Sequence, residues 1–277
     1  FFLMVGGRVP SYLGSSFAFI GVVIAATGYA AGSGLNPNIE VALGGIMACG
    51  IVYFLVGVIV TLTGVAWIEK LMPPVVTGAV VAVIGLNLAP TACKSVGTSS
   101  FNAWITILSV LCVGGVAVYT HGFIQKLLIL VGLLIAYVIY AILTNGLGLG
   151  QPIDFSLISN AAWFGLPHFH HPEFRADAIL LIVPVVIILI AENLGHVKAV
   201  TAMTGRNLDP YMGRAFMGDG LATIVSSSMG GTGVTTYGEN IGVMAATRVY
   251  STLLFPVAAA LAILLGFSPK FLSLIHI

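Results

Sequence analysis

The sequence predicts an all-α protein that crosses a membrane several times. Hydrophobic residues fill 58% of its 277 positions and charged residues only 7%, and the mean hydropathy is +1.09. Soluble domains carry roughly 25% charged residues, so this composition excludes an ordinary soluble fold. Several apolar runs also approach the ~20 residues that a spanning helix requires. Two weaker segments, rich in glycine, serine and threonine, interrupt these runs.

Turn residues divide the chain into apolar segments, which we interpret as membrane spans. The stretch 145–175 separates two groups of them and contains glycine, proline, aspartate, asparagine and three histidines. It is predicted to be one long loop. The predicted spans are the end of one at 1–5, a weak segment at 10–30, spans at about 40–64, 73–92, 101–120, 127–143, 177–198 and 214–229, a second weak segment at 229–248, and a span at 250–267.

The basic residues predict the orientation of these spans. If every segment crosses once, seven basic residues fall on one side of the membrane and three on the other. The richer side is expected to be cytoplasmic, which places the loop 145–175 outside. The seven are Arg8, Lys70, Lys126, Lys198, Arg206, Arg214 and Arg248, and the three are Lys94, Arg175 and Lys270.

Charge and cysteine content exclude other classes of function. The net charge of +1 leaves no basic surface for a nucleic acid. Cys49, Cys93 and Cys112 all lie in apolar runs, so we expect buried free thiols, and their spacing matches no metal site.

The two weak segments share one pattern. In 229–248, MGGTGVTTYGENIGVMAATR, a glycine- and threonine-rich half that suits extended backbone precedes a half that can be helical, with the break at Gly238 and Glu239. Segment 10–30 is likewise polar at one end and helical at the other. Such broken segments are tolerated in a membrane only where they line a cavity or a ligand site. Because the two run in opposite directions, they predict an inverted-repeat transporter with its substrate near the midplane.

Three ionisable residues stand out in the apolar sequence. Glu192 and His196 are four residues apart, so they share one helix face, and Glu239 is a second carboxylate in the broken segment. A charge at the centre of a span costs about 2.5 to 3.5 kcal/mol, and such residues usually face a site. If both carboxylates face one cavity, one is expected to hold a proton, with His196 orienting Glu192 or relaying that proton. The alternatives are a helix end solvated through Lys198 and a core histidine without a role.

Metal binding is an open alternative at two places. Glu192, His196 and Glu239 are a set of three potential ligands, but their spacing differs from the H-E-x-x-H zinc motif and the set includes only one histidine. The loop sequence HFHHPE, from His168 to Glu173, is the other candidate. For Asp219, between two glycines, we expect a structural role, either capping a helix or bonding neighbouring helices.

Three motifs in order resemble the nucleobase-ascorbate transporter family, the type-two nucleobase/cation symporters. They are VPSYLGSSFAF at 9–19, AENLGH at 191–196, and Glu239-Asn240-x-Gly242 followed by Thr247-Arg248. Their sequences are most similar to those of the bacterial uracil permeases of that family. The resemblance implies fourteen spans in two inverted repeats of seven, of which this chain holds about ten.

The resemblance also implies a division into a core and a gate. Residues 1–64 would form the first-repeat core, 65–144 the gate, 145–175 the extracytoplasmic loop and 176–277 the second-repeat core, with the C-terminal gate spans missing. The abrupt ends, FFLMVGGR and FSPKFLSLIHI, are likewise expected of a fragment.

The implied function is proton-coupled uptake of uracil or a related pyrimidine across the bacterial inner membrane, with no cofactor and no metal. Protons, lipid and a second copy of the chain are the other implied partners. The alternatives are a purine carrier for xanthine or uric acid, an intramembrane metalloenzyme and a channel. Carried over by motif, the binding residues are Glu192, Glu239, Phe17 and Gly238 through their backbone, Ser16, Tyr237, and His196 as support for Glu192.

Overall fold

The structure is a computed structural model that describes residues 1–29, 36–96 and 99–276. Ala30 and Ile277, which end two predicted ranges, lie outside them. Most of the regular structure is helical. The α-helices are α1 (Ala18–Thr27), α2 (Ile39–Thr63), α3 (Ala66–Leu71), α4 (Pro74–Val96), α5 (Ser100–Tyr119), α6 (Phe123–Lys126), α7 (Leu128–Ala141), α8 (Ser156–Asn160), α9 (Ala176–Ile182), α10 (Val185–Thr204), α11 (Met212–Ser228), α12 (Gly238–Thr247), α13 (Leu254–Gly266) and α14 (Pro269–Leu272). The strands are β1 (Leu13–Ser15) and β2 (Val234–Thr236); Ile142–Gly146 is a π-helix, and Asp209–Tyr211 and Ser273–His276 are 3₁₀ turns.

Three stretches of the described chain are helical, long and apolar enough to cross a membrane. They are Ile39–Thr63, Ser100–Tyr119 and Ala176–Thr204, the last of which combines α9 and α10 on either side of Pro184. These stretches confirm the spans predicted at 40–64, 101–120 and 177–198. The chain is therefore a helical membrane protein, while the total number of spans stays a prediction.

Both weak segments are broken as predicted. β1 is followed by α1 and β2 is followed by α12, which begins at Gly238. Valine and threonine favour the extended backbone of β2, whereas the alanine- and methionine-containing run after it favours a helix. The stretch 145–175 is irregular except for its first residues, which end the π-helix, and the short helix α8, which the sequence did not predict.

The two strands pair with each other. They are antiparallel, with Gly14 opposite Thr235 and the pairs Leu13–Thr236 and Ser15–Val234 on either side. Two further backbone hydrogen bonds extend the ladder, from Ser16 N–H to Gly233 O and from Tyr237 N–H to Tyr12 O, both at 3.0 Å. The pairing satisfies backbone groups that neither strand could satisfy alone inside a membrane.

The chain folds into two compact units, each built from two separate stretches of sequence. The first comprises Phe1–Asn87 and His168–Ala260, and the second Leu88–Pro167 and Leu261–Ile277. The first unit contains both strands and α10, so it holds every residue predicted for the binding site. The boundaries predicted for the core and the gate stay a prediction.

In the first unit, glycines bring α2 and α11 into close contact. A Cβ atom at Gly57 would lie 2.5 Å from the backbone nitrogen of Met217, and one at Gly220 would lie 2.5 Å from the backbone nitrogen of Phe54. Beside this contact, Tyr53 and Phe216 pack with ring centroids 5.6 Å apart, and both are fully buried. Small residues allow membrane helices to approach closely, which is the source of their packing energy.

The second unit is organised around α5 and α7. Gly132 allows α7 to pack on α5, because a Cβ atom there would lie 2.5 Å from the Cα atom of Val113. Asn145 secures the following loop: its side chain donates to Ile153 O at 3.0 Å and accepts from Ile153 N–H at 2.8 Å. Lys270 lies 4.8 Å from the centroid of the Trp163 ring, a cation–π contact.

The cysteines and the histidine loop differ in part from expectation. Cys49 is buried and Cys112 half-buried, but Cys93 is exposed, so the prediction of buried thiols is wrong for that residue.

His170 Nδ1 lies 3.6 Å from Glu40 Oε1, and the N–H of Glu173 donates to Glu40 O, so the loop is tied to the start of α2. Within the described ranges, no three histidine, cysteine or acidic residues are grouped as a metal site.

The close contact of α2 and α11 gives a stability prediction. Gly220→Ala should destabilise the protein by about 1 to 3 kcal/mol, because its new methyl group meets the backbone of α2. Gly114→Ala in α5 is the matched control, since a Cβ atom there meets nothing within 4 Å and alanine favours a helix. Thermal unfolding in detergent measures both variants, and equal melting temperatures would contradict the described contact.

Candidate functional site

The site residues meet where α10 faces the two broken segments. Glu192 and His196 lie one turn apart on α10, and each bonds to a different broken segment. The hydroxyl of Ser16, directly after β1, donates to Glu192 Oε2 at 3.3 Å. The ring nitrogen Nδ1 of His196 lies 3.0 Å from the hydroxyl oxygen of Thr236 in β2. The predicted spacing of four residues therefore does place both side chains toward the same region.

Ser16 links the strand pair to both helices beside it. Its N–H donates to Gly233 O, its hydroxyl oxygen accepts from the N–H of Ala18 at 3.3 Å, and its hydroxyl donates to Glu192. The side chain is buried while that of Glu192 is half-buried. A buried serine with these three bonds has little freedom, so it fixes one oxygen of a carboxylate that stays open on its other side.

The hydrogen-bond partner of His196 is Thr236, where we predicted Glu192. Thr236 is fully buried and belongs to the same strand pair as Ser16. The alternating orientation of side chains along β2 directs Thr236 toward α10, and sequence reasoning could have found it only with the strand register in hand. His196 is thus held by the second broken segment.

The starts of α1 and α12 lie at the two ends of the strand pair, after Ser16 and after Tyr237. A Cβ atom at Gly238 would be only 3.0 Å from His196 Nε2, so glycine allows the first residue of α12 to approach the ring. The first N–H groups of a helix have no partner within it. In the described chain, the N–H groups of Phe17 and Gly238 have no hydrogen-bond acceptor. Two backbone donors are therefore available beside Glu192 and His196.

Three predicted residues have more exposed side chains. Glu239 is exposed in the first turn of α12, where the helix dipole favours a negative charge. It directly follows Gly238, which approaches the His196 ring. The side chain of Phe17 is 49% exposed, and the hydroxyl of half-buried Tyr237 lies 3.1 Å from Ser15 Oγ.

A buried polar network lies behind the site and joins three helices. The amide nitrogen of Asn193 on α10 donates to Asp219 on α11 and to the hydroxyl of Tyr53 on α2. The Tyr53 hydroxyl in turn donates to Leu189 O at 3.4 Å. All three side chains are fully buried, and the prediction that Asp219 bonds neighbouring helices is confirmed. Asn193 and Tyr53 were not predicted, because an asparagine and a tyrosine among apolar residues give no specific signal.

Lys198 is engaged away from the site. Its ammonium group lies 2.6 Å from Glu69 Oε1 and 2.7 Å from Asp209 Oδ1. These contacts connect α10 to α3 and to the 3₁₀ turn before α11. Because Lys198 is paired with two other carboxylates, the alternative in which it solvates Glu192 at a helix end has no support in the structure.

Comparison with known proteins identifies the chain at family level. Residues 1–277 match the family model Xan_ur_permease, described as Permease family. The chain belongs to this permease family. The resemblance predicted from its three motifs is thereby confirmed, and the chain is grouped with transporters.

Bacterial permeases are among the relatives. The chain is 66% identical over 276 residues to "Putative pyrimidine permease RutG" of Escherichia coli (strain K12). The aligned region covers 100% of the chain and 62% of that protein. It is 40% identical over 272 residues to the uracil permease of the same organism, covering 94% of the chain and 59% of the relative. The uracil permease of Paenibacillus larvae is 38% identical over 283 residues, covering 98% of the chain and 64% of the relative. The chain thus spans about six-tenths of the length of these permeases.

Proposed function

We propose that the protein takes up uracil or a closely related pyrimidine across a bacterial inner membrane, coupled to protons. The observation that carries this proposal is a pair of unpartnered backbone N–H groups in the described chain, one at Phe17 after the serine that bonds Glu192 and the other at Gly238 beside the His196 ring. The names of the related uracil and pyrimidine permeases support the same substrate class.

The chemistry of the base fits this set of donors and acceptors. Uracil has N–H donors and carbonyl acceptors around a flat ring. Carboxylates such as Glu192 and Glu239 accept from its N–H groups, while the backbone N–H groups of Phe17 and Gly238 donate to its carbonyls. The aromatic side chain of Tyr237 is a suitable wall for the ring face. Every group of uracil that can form a hydrogen bond then has a partner of opposite character.

The transport architecture is part of the same proposal. We assign residues 1–64 and 176–277 to a core domain, 65–144 to a gate domain and 145–175 to an extracytoplasmic loop, within fourteen spans arranged as two inverted repeats of seven. The antiparallel pairing of β1 and β2 supports the opposed repeats, because each strand opens a broken segment of opposite sense. Movement of the core against the gate would carry the base across the membrane.

Proton coupling is assigned to Glu192 with His196. Protonation of Glu192 allows the base to bind, and release inside accompanies deprotonation. The half-buried position of Glu192 and its single bond to the Ser16 hydroxyl support this role, because its charge has no cationic partner in the described chain. Glu239, in the first turn of α12, is a second carboxylate on the neighbouring broken segment.

Binding measurements test the assignment of the carboxylates. Glu239→Gln should weaken uracil binding about tenfold to hundredfold, because it removes a charged acceptor worth roughly 1.5 to 3 kcal/mol. Glu192→Ala should weaken binding as well, because it removes the carboxyl group that accepts from the base. Glu173→Gln is the matched control, since its side chain is exposed in the loop before α9. Isothermal calorimetry on the protein expressed from its complete reading frame gives the affinities. An unchanged affinity in Glu239→Gln would remove that carboxylate from the site.

Uptake measurements test the coupling separately. In proteoliposomes, radiolabelled uracil should enter faster when the outside is more acidic, and a protonophore should abolish the difference. Glu192→Gln should lose this dependence on the gradient, because it cannot exchange a proton at that position. Initial rates that ignore the gradient in the wild-type protein would contradict proton coupling without affecting the assignment of the substrate. Competition by xanthine in the same assay distinguishes a purine carrier.

A further inference from the structure

The ring of Tyr237 lies directly on Gly14 of the opposite strand. A Cβ atom built at Gly14 would overlap the Cζ and Cε2 atoms of that ring and lie 2.7 Å from its hydroxyl oxygen. The atoms concerned belong to the middle and outer part of a rigid aromatic side chain. Any residue other than glycine at position 14 would therefore displace the ring from the strand.

Tyr237 is also held at its backbone and at its hydroxyl by residues of the first broken segment. The backbone N–H of Tyr237 donates to Tyr12 O at 3.0 Å, and its hydroxyl lies 3.1 Å from Ser15 Oγ. Gly14 lies between these two contacts in the sequence. Tyr12, Gly14 and Ser15 of the first broken segment thus determine the position of the Tyr237 ring of the second.

The conformation of Gly14 points to the same cause. Its φ angle is outside the left-handed region, and its backbone pairs regularly with Thr235 in the strand ladder. The backbone would accept an L-residue at this position. The requirement for a small residue consequently comes from the ring of Tyr237 and not from the chain itself.

We propose that Gly14 is a positioning residue for the ligand site: it allows the Tyr237 ring to lie on β1 and thereby fixes the aromatic wall next to Gly238 and Glu239. The inference rests on the proposed function, because it takes Tyr237 as the wall against which the base lies. A displaced ring would change the width of the site for a flat single-ring base. Strand β1, through Gly14, thus determines how closely the base can pack against the Tyr237 ring.

A double-mutant cycle tests the inference through two independent readouts, uracil affinity and melting temperature. Gly14→Ala should weaken uracil binding about tenfold and lower the melting temperature, because the methyl group and the ring cannot occupy the same space. Gly21→Ala in α1 is the matched control, since a Cβ atom there meets nothing within 4 Å. In a Tyr237→Ala background, the Gly14→Ala change should alter neither quantity, because the ring is gone.

The outcomes separate this inference from the proposed function. Wild-type affinity in Gly14→Ala, or an effect that persists without the Tyr237 ring, overturns the role of Gly14 and leaves uracil binding intact. Absence of uracil binding by the wild-type protein contradicts the proposed function, and the melting temperatures then still decide whether Gly14 positions the ring.

If Gly14→Ala folds poorly, Ser15→Ala tests the other contact, between Ser15 Oγ and the Tyr237 hydroxyl. It should weaken uracil binding about threefold in the wild-type background and have no effect beside Tyr237→Phe, which lacks the hydroxyl; equal effects in both backgrounds overturn the inference.

Discussion

The antiparallel pairing of β1 with β2 is the interaction on which the rest of the site depends. Each broken segment exposes backbone groups that a helix would have satisfied internally, and a membrane interior offers no water to replace them. Three strand pairs and two flanking hydrogen bonds satisfy these groups across the two segments. The same pairing places the start of α1 at one end of the strand pair and the start of α12 at the other, so the free N–H groups of Phe17 and Gly238 lie on either side of the strands.

Helix α10 supplies the chemical groups, and its neighbours hold it in place. Asn193 is bonded to Asp219 and Tyr53 on one side of the helix, and Lys198 is paired with Glu69 and Asp209 near its end. Glu192 and His196 are left to face the strand pair. A buried network with each member bonded to the next favours one arrangement of the three helices, which keeps the carboxylate at a defined distance from the two helix starts.

The sequence predicts much of this arrangement, for identifiable reasons. Long apolar runs predict the spans at α2, α5 and α9–α10, because membrane thickness fixes their length. Gly238 and Glu239 mark the break in the second segment, since a glycine and a carboxylate are both unusual within a span. The bond between His196 and Thr236 could not be predicted, because it depends on the register of two strands whose contacting residues, such as Ser15 and Tyr237, are 222 positions apart. The exposure of the Glu239 side chain likewise could not be predicted, because it depends on how α12 packs against its neighbours.

The central claim is that a base binds to the two helix starts beside Glu192 and His196, and hydrogen exchange at single-residue resolution tests it most directly. Without ligand, the N–H groups of Phe17 and Gly238 have no acceptor in the described chain. Saturating uracil should therefore slow amide exchange at both residues, while exchange at Gly64, at the end of α2, should stay unchanged. Uracil binding that leaves both amides exchanging as before would contradict the claim.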